Sequence, residues 1–199
     1  MSIRRVTVYA ASSQALHSDY ISAAHRLGQT LARAGLVIVY GGGGHGLMGA
    51  MANAALTEGG EVHGVIPEFL TRIEQGHQKL TSMEVVPDMH TRKALLLEQS
   101  DAVIALPGGC GTFEELFEAM TLERLGQFLG PIILVNTAGY YDSLMQVLRH
   151  SVNEHFMSRI HLQMWQLVDE PEQALDALGK AAQWSASRIQ QAAVTGASS

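Results

Sequence analysis

A single cysteine, Cys110, stands in the whole chain. No internal disulfide can form, and a reducing cytoplasm is the compartment such a chain suits. Lysine is almost as scarce, limited to Lys79, Lys93 and Lys180. A surplus of positive charge is missing too: the formal charge is −6 and the pI near 5.8. That balance argues against a nucleic-acid backbone as the partner, while leaving room for a local basic pocket that takes one phosphate. No apolar run approaches the roughly 20 residues that cross a bilayer, so no membrane partner is expected. The opening MSIRRVTVYAASS places two arginines before an apolar run, but that run is short and β-branched and reads as a first strand rather than a signal peptide. These absences lead to the expectation of a cytoplasmic protein.

What is present is enough for a substantial core. With 199 residues and 47% hydrophobic content, the chain reads as one domain over residues 1–180, and the tail 181–199 loses its pattern and is expected to fray. Strand candidates are Arg5–Ala10, Leu36–Tyr40, Glu61–Ile66, Met83–Val86, Asp101–Leu106, Pro131–Val135 and Trp165–Val168. Runs such as VIVY, AVIAL and IILV are apolar on consecutive positions, as in strands buried on both faces. Between them, Asp19–Ala34, Leu47–Glu58, His90–Gln99, Thr112–Leu125 and Tyr140–His150 carry apolar residues at helical spacing. This alternation predicts an α/β fold, a doubly wound, mainly parallel sheet with helices on both faces. Ligands of such sheets bind beyond the carboxyl ends of the strands.

Two glycine turns follow strands. The first, GGGGHGLMG from Gly41 to Gly49, offers Gly42 and Gly43 for close approach of a ligand and a helix start whose amides suit an anion. The pattern GxGxxG occurs in it twice, but a dinucleotide site prefers the first strand and an acidic residue ending the next one, where Glu68 fits poorly. The second, PGGCGTFEE from Pro107 to Glu115, brings Gly108, Gly109, Gly111 and the Thr112 hydroxyl to a helix start without the lysine of a P-loop. Two such turns suggest one mononucleotide held from two sides. Thr112 and Glu115 also have the spacing of a capping box, so Glu115 reads as cap, catalyst or both, and either Glu114 or Glu115 can face a substrate. Upstream, DMHTRK sets Arg92 and Lys93 at a helix start, where the helix dipole disfavours cations and a functional role is favoured. His45, His63 and His77 lack the spacing of metal ligands, and no metal or cofactor is assigned. Cys110 has no evident histidine partner for nucleophilic work.

At these residues the chain resembles a known family. GGGGHGLMG, DMHTRK, PGGCGTFEE and the NTAGYYDSL segment are similar to those of the LOG family, cytokinin riboside 5′-monophosphate phosphoribohydrolases long mislabelled as lysine decarboxylases. The resemblance spans about residues 3–170 and implies a Rossmann-like fold and a homodimer with sites near the subunit interface. It implies hydrolysis of the N-glycosidic bond of a nucleoside 5′-monophosphate, AMP or an N6-substituted relative, releasing the base and ribose 5-phosphate. By motif, Arg92 and Glu115 match the catalytic pair, and Lys93, Gly108, Gly109, Gly111 and Thr112 match substrate contacts, with Cys110 among them. Glu74 and Thr121 match more loosely, through their distance from these motifs. His45, Cys110 and the MTLERLG segment depart from the commonest pattern, and the last puts the preferred base in question. A lysine decarboxylase would need pyridoxal phosphate on one of three lysines. A non-catalytic nucleotide carrier or sensor on the same fold is the main alternative, and a dinucleotide oxidoreductase comes third.

Overall fold

The computed structural model describes residues 3–72, 76–181 and 184. Among them are seven strands: β1 (Arg5–Tyr9), β2 (Val37–Tyr40), β3 (Val62–Pro67), β4 (Ser82–Val86), β5 (Ala102–Ala105), β6 (Ile132–Val135) and β7 (Trp165–Val168). Six α-helices accompany them: α1 (Ser18–Arg33), α2 (Gly46–Thr57), α3 (Met89–Glu98), α4 (Cys110–Arg124), α5 (Asp142–Asn153) and α6 (Gln173–Lys180). Every expected strand is present, each within a residue or so of its expected ends. Helix α6 was not anticipated from the sequence. It is only eight residues long, and it is held by burying Ala174, Ala177 and Leu178 rather than by a long periodic pattern. Of the tail 181–199 expected to fray, Ala181 and a buried Trp184 are described, and 182, 183 and 185–199 lie outside the described residues.

All neighbouring strands pair in parallel, in the order β4-β3-β2-β1-β5-β6-β7. Successive side chains of a strand point to opposite faces, so β1 divides its residues between two cores. Val6 and Val8 join Ile38, Ile104 and Leu106 beneath α1, α2 and α6. Tyr9 joins Val39, Val103 and Ala105 beneath α3, α4 and α5. The central strands β5 and β6 are buried along their whole length, whereas edge strand β4 is largely exposed. Burying a Val, Leu or Ile side chain stabilises by roughly 1.5–3 kcal/mol, so these two-sided strands dominate the fold.

The chain winds outwards from β1 through β2, β3 and β4, then returns to lay β5 on the other side of β1. The winding direction therefore reverses between β1 and β5, and a crevice opens beyond their carboxyl ends. The segments that follow β1, β2 and β5 converge there.

Candidate active site

A cavity of about 270 Å³ occupies this crevice. Its walls are the end of β1 and the loop after it (Val8 to Ser13), Gly41 after β2, Met48 of α2, Met89 and Arg92 of α3, and Gly109, Gly111, Thr112 and Glu115 around the start of α4.

Arg92 reaches the cavity because α3 begins where it does. Asp88 caps the helix, accepting a hydrogen bond from the Thr91 amide at 2.8 Å, which places Arg92 one turn in. The Thr7 hydroxyl donates to the Leu96 carbonyl and ties α3 to β1. The Arg92 guanidinium is almost fully buried; its Nη2 donates to the Gly41 carbonyl at 3.2 Å, and its Nε has no partner among the described residues. Position 41 must be glycine for this contact, since a Cβ there would lie 1.9 Å from Arg92 Nη2.

Glu115 faces Arg92 across the cavity, with Oε1 3.9 Å from Nη2, at the outer limit of an ion pair. Burial pushes the Glu115 carboxyl up to about 7; Arg92 opposes the rise and Glu114 adds to it. The group is thus poised to exchange a proton near neutrality, as a catalytic acid or base requires. Glu114 is turned outwards and binds Lys93, whose ammonium also stands 3.3 Å from Glu118. Consecutive helical residues diverge by about 100°, so Arg92 and Glu115 meet inside while Lys93 and Glu114 meet outside.

The start of α4 corrects one expectation. The helix begins at Cys110 with Gly109 as its N-cap and no side-chain capping bond, so Thr112 and Glu115 do not form a capping box. The physical reason is register: Thr112 is already the third helical residue and Glu115 the sixth. The first intrahelical bond runs from the Phe113 amide to the Gly109 carbonyl at 3.0 Å, which leaves the amides of residues 110–112 without an intrahelical partner. Amides in this position, with the helix dipole behind them, suit an anion. Thr112 is buried and lines the cavity beside them.

The first glycine turn is used differently from the sequence reading. The Ala11 carbonyl accepts the Leu47 and Met48 amides at 2.9 and 3.2 Å, so the start of α2 is closed by the loop after β1. Gly42 accepts from the His77 amide at 2.9 Å, and Gly43 accepts from the Tyr40 hydroxyl at 3.1 Å. Neither of these glycines lines the cavity; Gly41 does. The two glycine turns thus contribute unequally to the cavity, the first through Gly41 and the second through Gly109, Gly111 and the open start of α4.

Other expected residues lie apart from the cavity walls. Cys110 is exposed, and Lys93 is taken up by its two carboxylates. Thr121 is exposed, its hydroxyl donating to the Phe117 carbonyl at 2.7 Å, nearly two turns beyond Glu115. Gly108 sits behind the cavity, where a Cβ would fall 2.0 Å from Thr112 Oγ1. Glu74 lies outside the described residues. Conversely, sequence reasoning passed over the loop Ala10–Ser13, Tyr9, Met48 and Met89. The position of that loop after the first strand, beside the point of reversal, was the signal available. Burial, reinforced by Glu115, raises the Tyr9 phenol well above its usual range, so this cavity-lining group stays protonated. A pyridoxal aldimine would need a lysine in the cavity, and none of the three lines it.

The chain as a whole is similar to known proteins. The family described as possible lysine decarboxylase matches residues 48–178. A cytokinin riboside 5′-monophosphate phosphoribohydrolase of Rhodococcoides fascians is 46% identical over 156 residues, covering 78% of this chain and 79% of that protein. One of the same name from Arabidopsis thaliana is 43% identical over 155 residues, covering 78% and 72%. Among solved structures, the molybdenum cofactor binding protein of Rippkaea orientalis superposes with a TM-score of 0.67 at 22% identity, covering 90% of this chain and 97% of that one, and shares the fold alone. The decarboxylase description and the phosphoribohydrolase names thus attach to one set of sequences, and with nearly half its residues shared over most of its length, this chain belongs to the LOG family of cytokinin riboside 5′-monophosphate phosphoribohydrolases.

Proposed function

We propose that the protein hydrolyses the N-glycosidic bond of purine nucleoside 5′-monophosphates, AMP or its N6-substituted relatives, giving free base and ribose 5-phosphate. The observation that carries this reading is the pairing of a largely buried carboxyl, Glu115, with free helix-start amides only one turn away on α4. In it, the 5′-phosphate sits at the amides of residues 110–112 and the Thr112 hydroxyl, which anchors the sugar beside Glu115. As the C1′–N9 bond breaks, its electron pair stays with the base and positive charge builds on the ribose. The Glu115 carboxylate stabilises that charge and orients a water, whose oxygen bonds to C1′ while its proton passes to the carboxylate. A cation beside the developing oxocarbenium would oppose it, so Arg92 suits the negative side of the reaction: the phosphate, or the departing purine nitrogen, which takes up a proton from solvent while Glu115 later returns its own proton to solvent.

The reading includes a homodimer. Phe117, Thr121 and Leu125 recur every four positions along α4 and share one outer face. Phe117 and Leu125 are 41% and 54% exposed, with Leu129 nearby at 51%, an apolar surface that a second copy would cover.

Incubation with AMP and with isopentenyladenosine monophosphate, followed by chromatography, tests the activity. Free base is expected, with the ratio between the two substrates reporting the preferred N6 group. A nucleotide carrier would bind AMP and release nothing, and no base from any purine nucleotide refutes the enzymatic reading.

A further inference from the structure

The turn Pro107–Gly108–Gly109 has two residues without side chains; Pro107 and Gly108 are buried, with Thr112 against Gly108 on one side. Behind it lies a second, almost wholly apolar cavity of about 260 Å³, bounded by Leu16, Tyr20, Leu47 and Tyr140. Packing from that side is therefore absent where the turn most needs to be rigid. Directed hydrogen bonds hold it instead, and all three carbonyls from Leu106 to Gly108 are engaged. The Tyr141 hydroxyl donates to Leu106 at 2.7 Å, the Ala11 amide to Pro107 at 3.2 Å, and the Tyr140 hydroxyl to Gly108 at short range.

Both tyrosines come from the segment after β6, whose shape is specified locally. Ala138 and Gly139 take positive φ, 53° and 72°, which turns the chain back before α5. Asn136 braces the bend, accepting from the Tyr141 amide at 2.7 Å and donating to Asp142 at 2.9 Å. An alanine held at positive φ is a strained conformation that persists only where its surroundings impose it. The Tyr140 ring is itself fixed, edge-on to Tyr141 at 5.1 Å and stacked with Phe113 at 6.2 Å.

We infer that Tyr140, braced by Tyr141, is a positioning residue for the anion-binding turn. The peptide unit is planar and trans, so its carbonyl and the next amide point in opposite directions. Drawing the Gly108 carbonyl towards Tyr140 sets the Gly109 amide away from it, and Gly109 is the N-cap of α4 and a wall of the catalytic cavity. Tyr140 thus bears on the phosphate indirectly, by fixing the N-cap from which the amides of residues 110–112 follow, without touching it. This inference rests on the placement of the 5′-phosphate at the start of α4.

The test is Tyr140→Phe, which removes one hydroxyl and keeps the ring contacts. Ribose 5-phosphate and adenosine are titrated calorimetrically into wild type and variant, alongside steady-state kinetics. Loss of one directed hydrogen bond should weaken ribose 5-phosphate roughly three- to tenfold and raise KM similarly, with kcat and adenosine affinity held. Equal ribose 5-phosphate affinity in the two proteins overturns the positioning role alone. So does parallel weakening of both ligands, which marks general damage. If wild type itself takes up no ribose 5-phosphate, the phosphate placement falls, and the inference with it.

Discussion

Replacing Glu115 by Gln should separate the role of this carboxyl in chemistry from its effect on stability. The folded protein raises its pKa from 4.5 to about 7, chiefly through burial. Between those values the native state keeps a proton that the unfolded chain has released. Stability conferred on the folded state is therefore greatest below the unfolded pKa and declines as pH climbs to about 7, after which it is level. At about 1.4 kcal/mol per unit over roughly 2.5 units, the decline attributable to Glu115 is about 3 kcal/mol. Glutamine does not titrate, so Glu115→Gln loses this decline. The attraction of Arg92 for the ionised carboxylate is already contained in that pKa, so it adds no separate slope to the comparison. Other titrating groups cancel in the same difference. Melting temperatures of the two proteins near pH 5 and near pH 8 should thus shift against each other by roughly 6–12 °C, in favour of the variant at the higher pH. Hydrolysis should be lost in the variant, with ribose 5-phosphate still bound. In the wild type kcat/KM should rise as pH passes about 7, because the ionised carboxylate is the active form. Parallel melting curves would refute the burial argument, and an active variant would refute the catalytic assignment.

Glu123, on the fourth turn of α4, is 2% exposed, and its Oε2 has no partner among the described residues. Burial pushes its carboxyl up to about 8. Stability should again fall as pH rises from about 4.5 to about 8, and Glu123→Gln should gain roughly 2–5 kcal/mol on wild type across that window. Denaturation at several pH values reads this directly, and a constant offset between the two proteins would contradict it. Phe117→Asp puts a charge on the apolar face of α4 and should convert dimers to monomers in light scattering, with the secondary structure seen by circular dichroism retained. A wild type that is monomeric at every concentration, or an undisturbed dimer in the variant, would refute that interface.

Local sequence determined the layered sheet. VIVY, AVIAL and IILV are apolar on adjacent positions, and only a strand covered on both faces buries them all, which is why these strands were legible with nearly correct ends. The same holds for the glycine turn after β5 and for an arginine sitting oddly at a helix start. Tertiary structure decided which of these groups meet. Whether Arg92 or Lys93, and Glu114 or Glu115, turns inwards depends on how α3 and α4 face each other across β1 and β5, and the outer pair is settled by Lys93 reaching Glu114 and Glu118. The first glycine turn looked open to an anion, yet the Ala11 carbonyl, far away in sequence, takes its helix amides. Two extra residues at the start of α4 moved Thr112 off the cap and freed three amides. The raised pKa of Glu115 and the grip of Tyr140 on Gly108 likewise arise from groups brought together only by the winding of the sheet. Periodicity reports which residues are buried; burial partners, open helix ends and proton affinities depend on long-range contacts that no local pattern encodes.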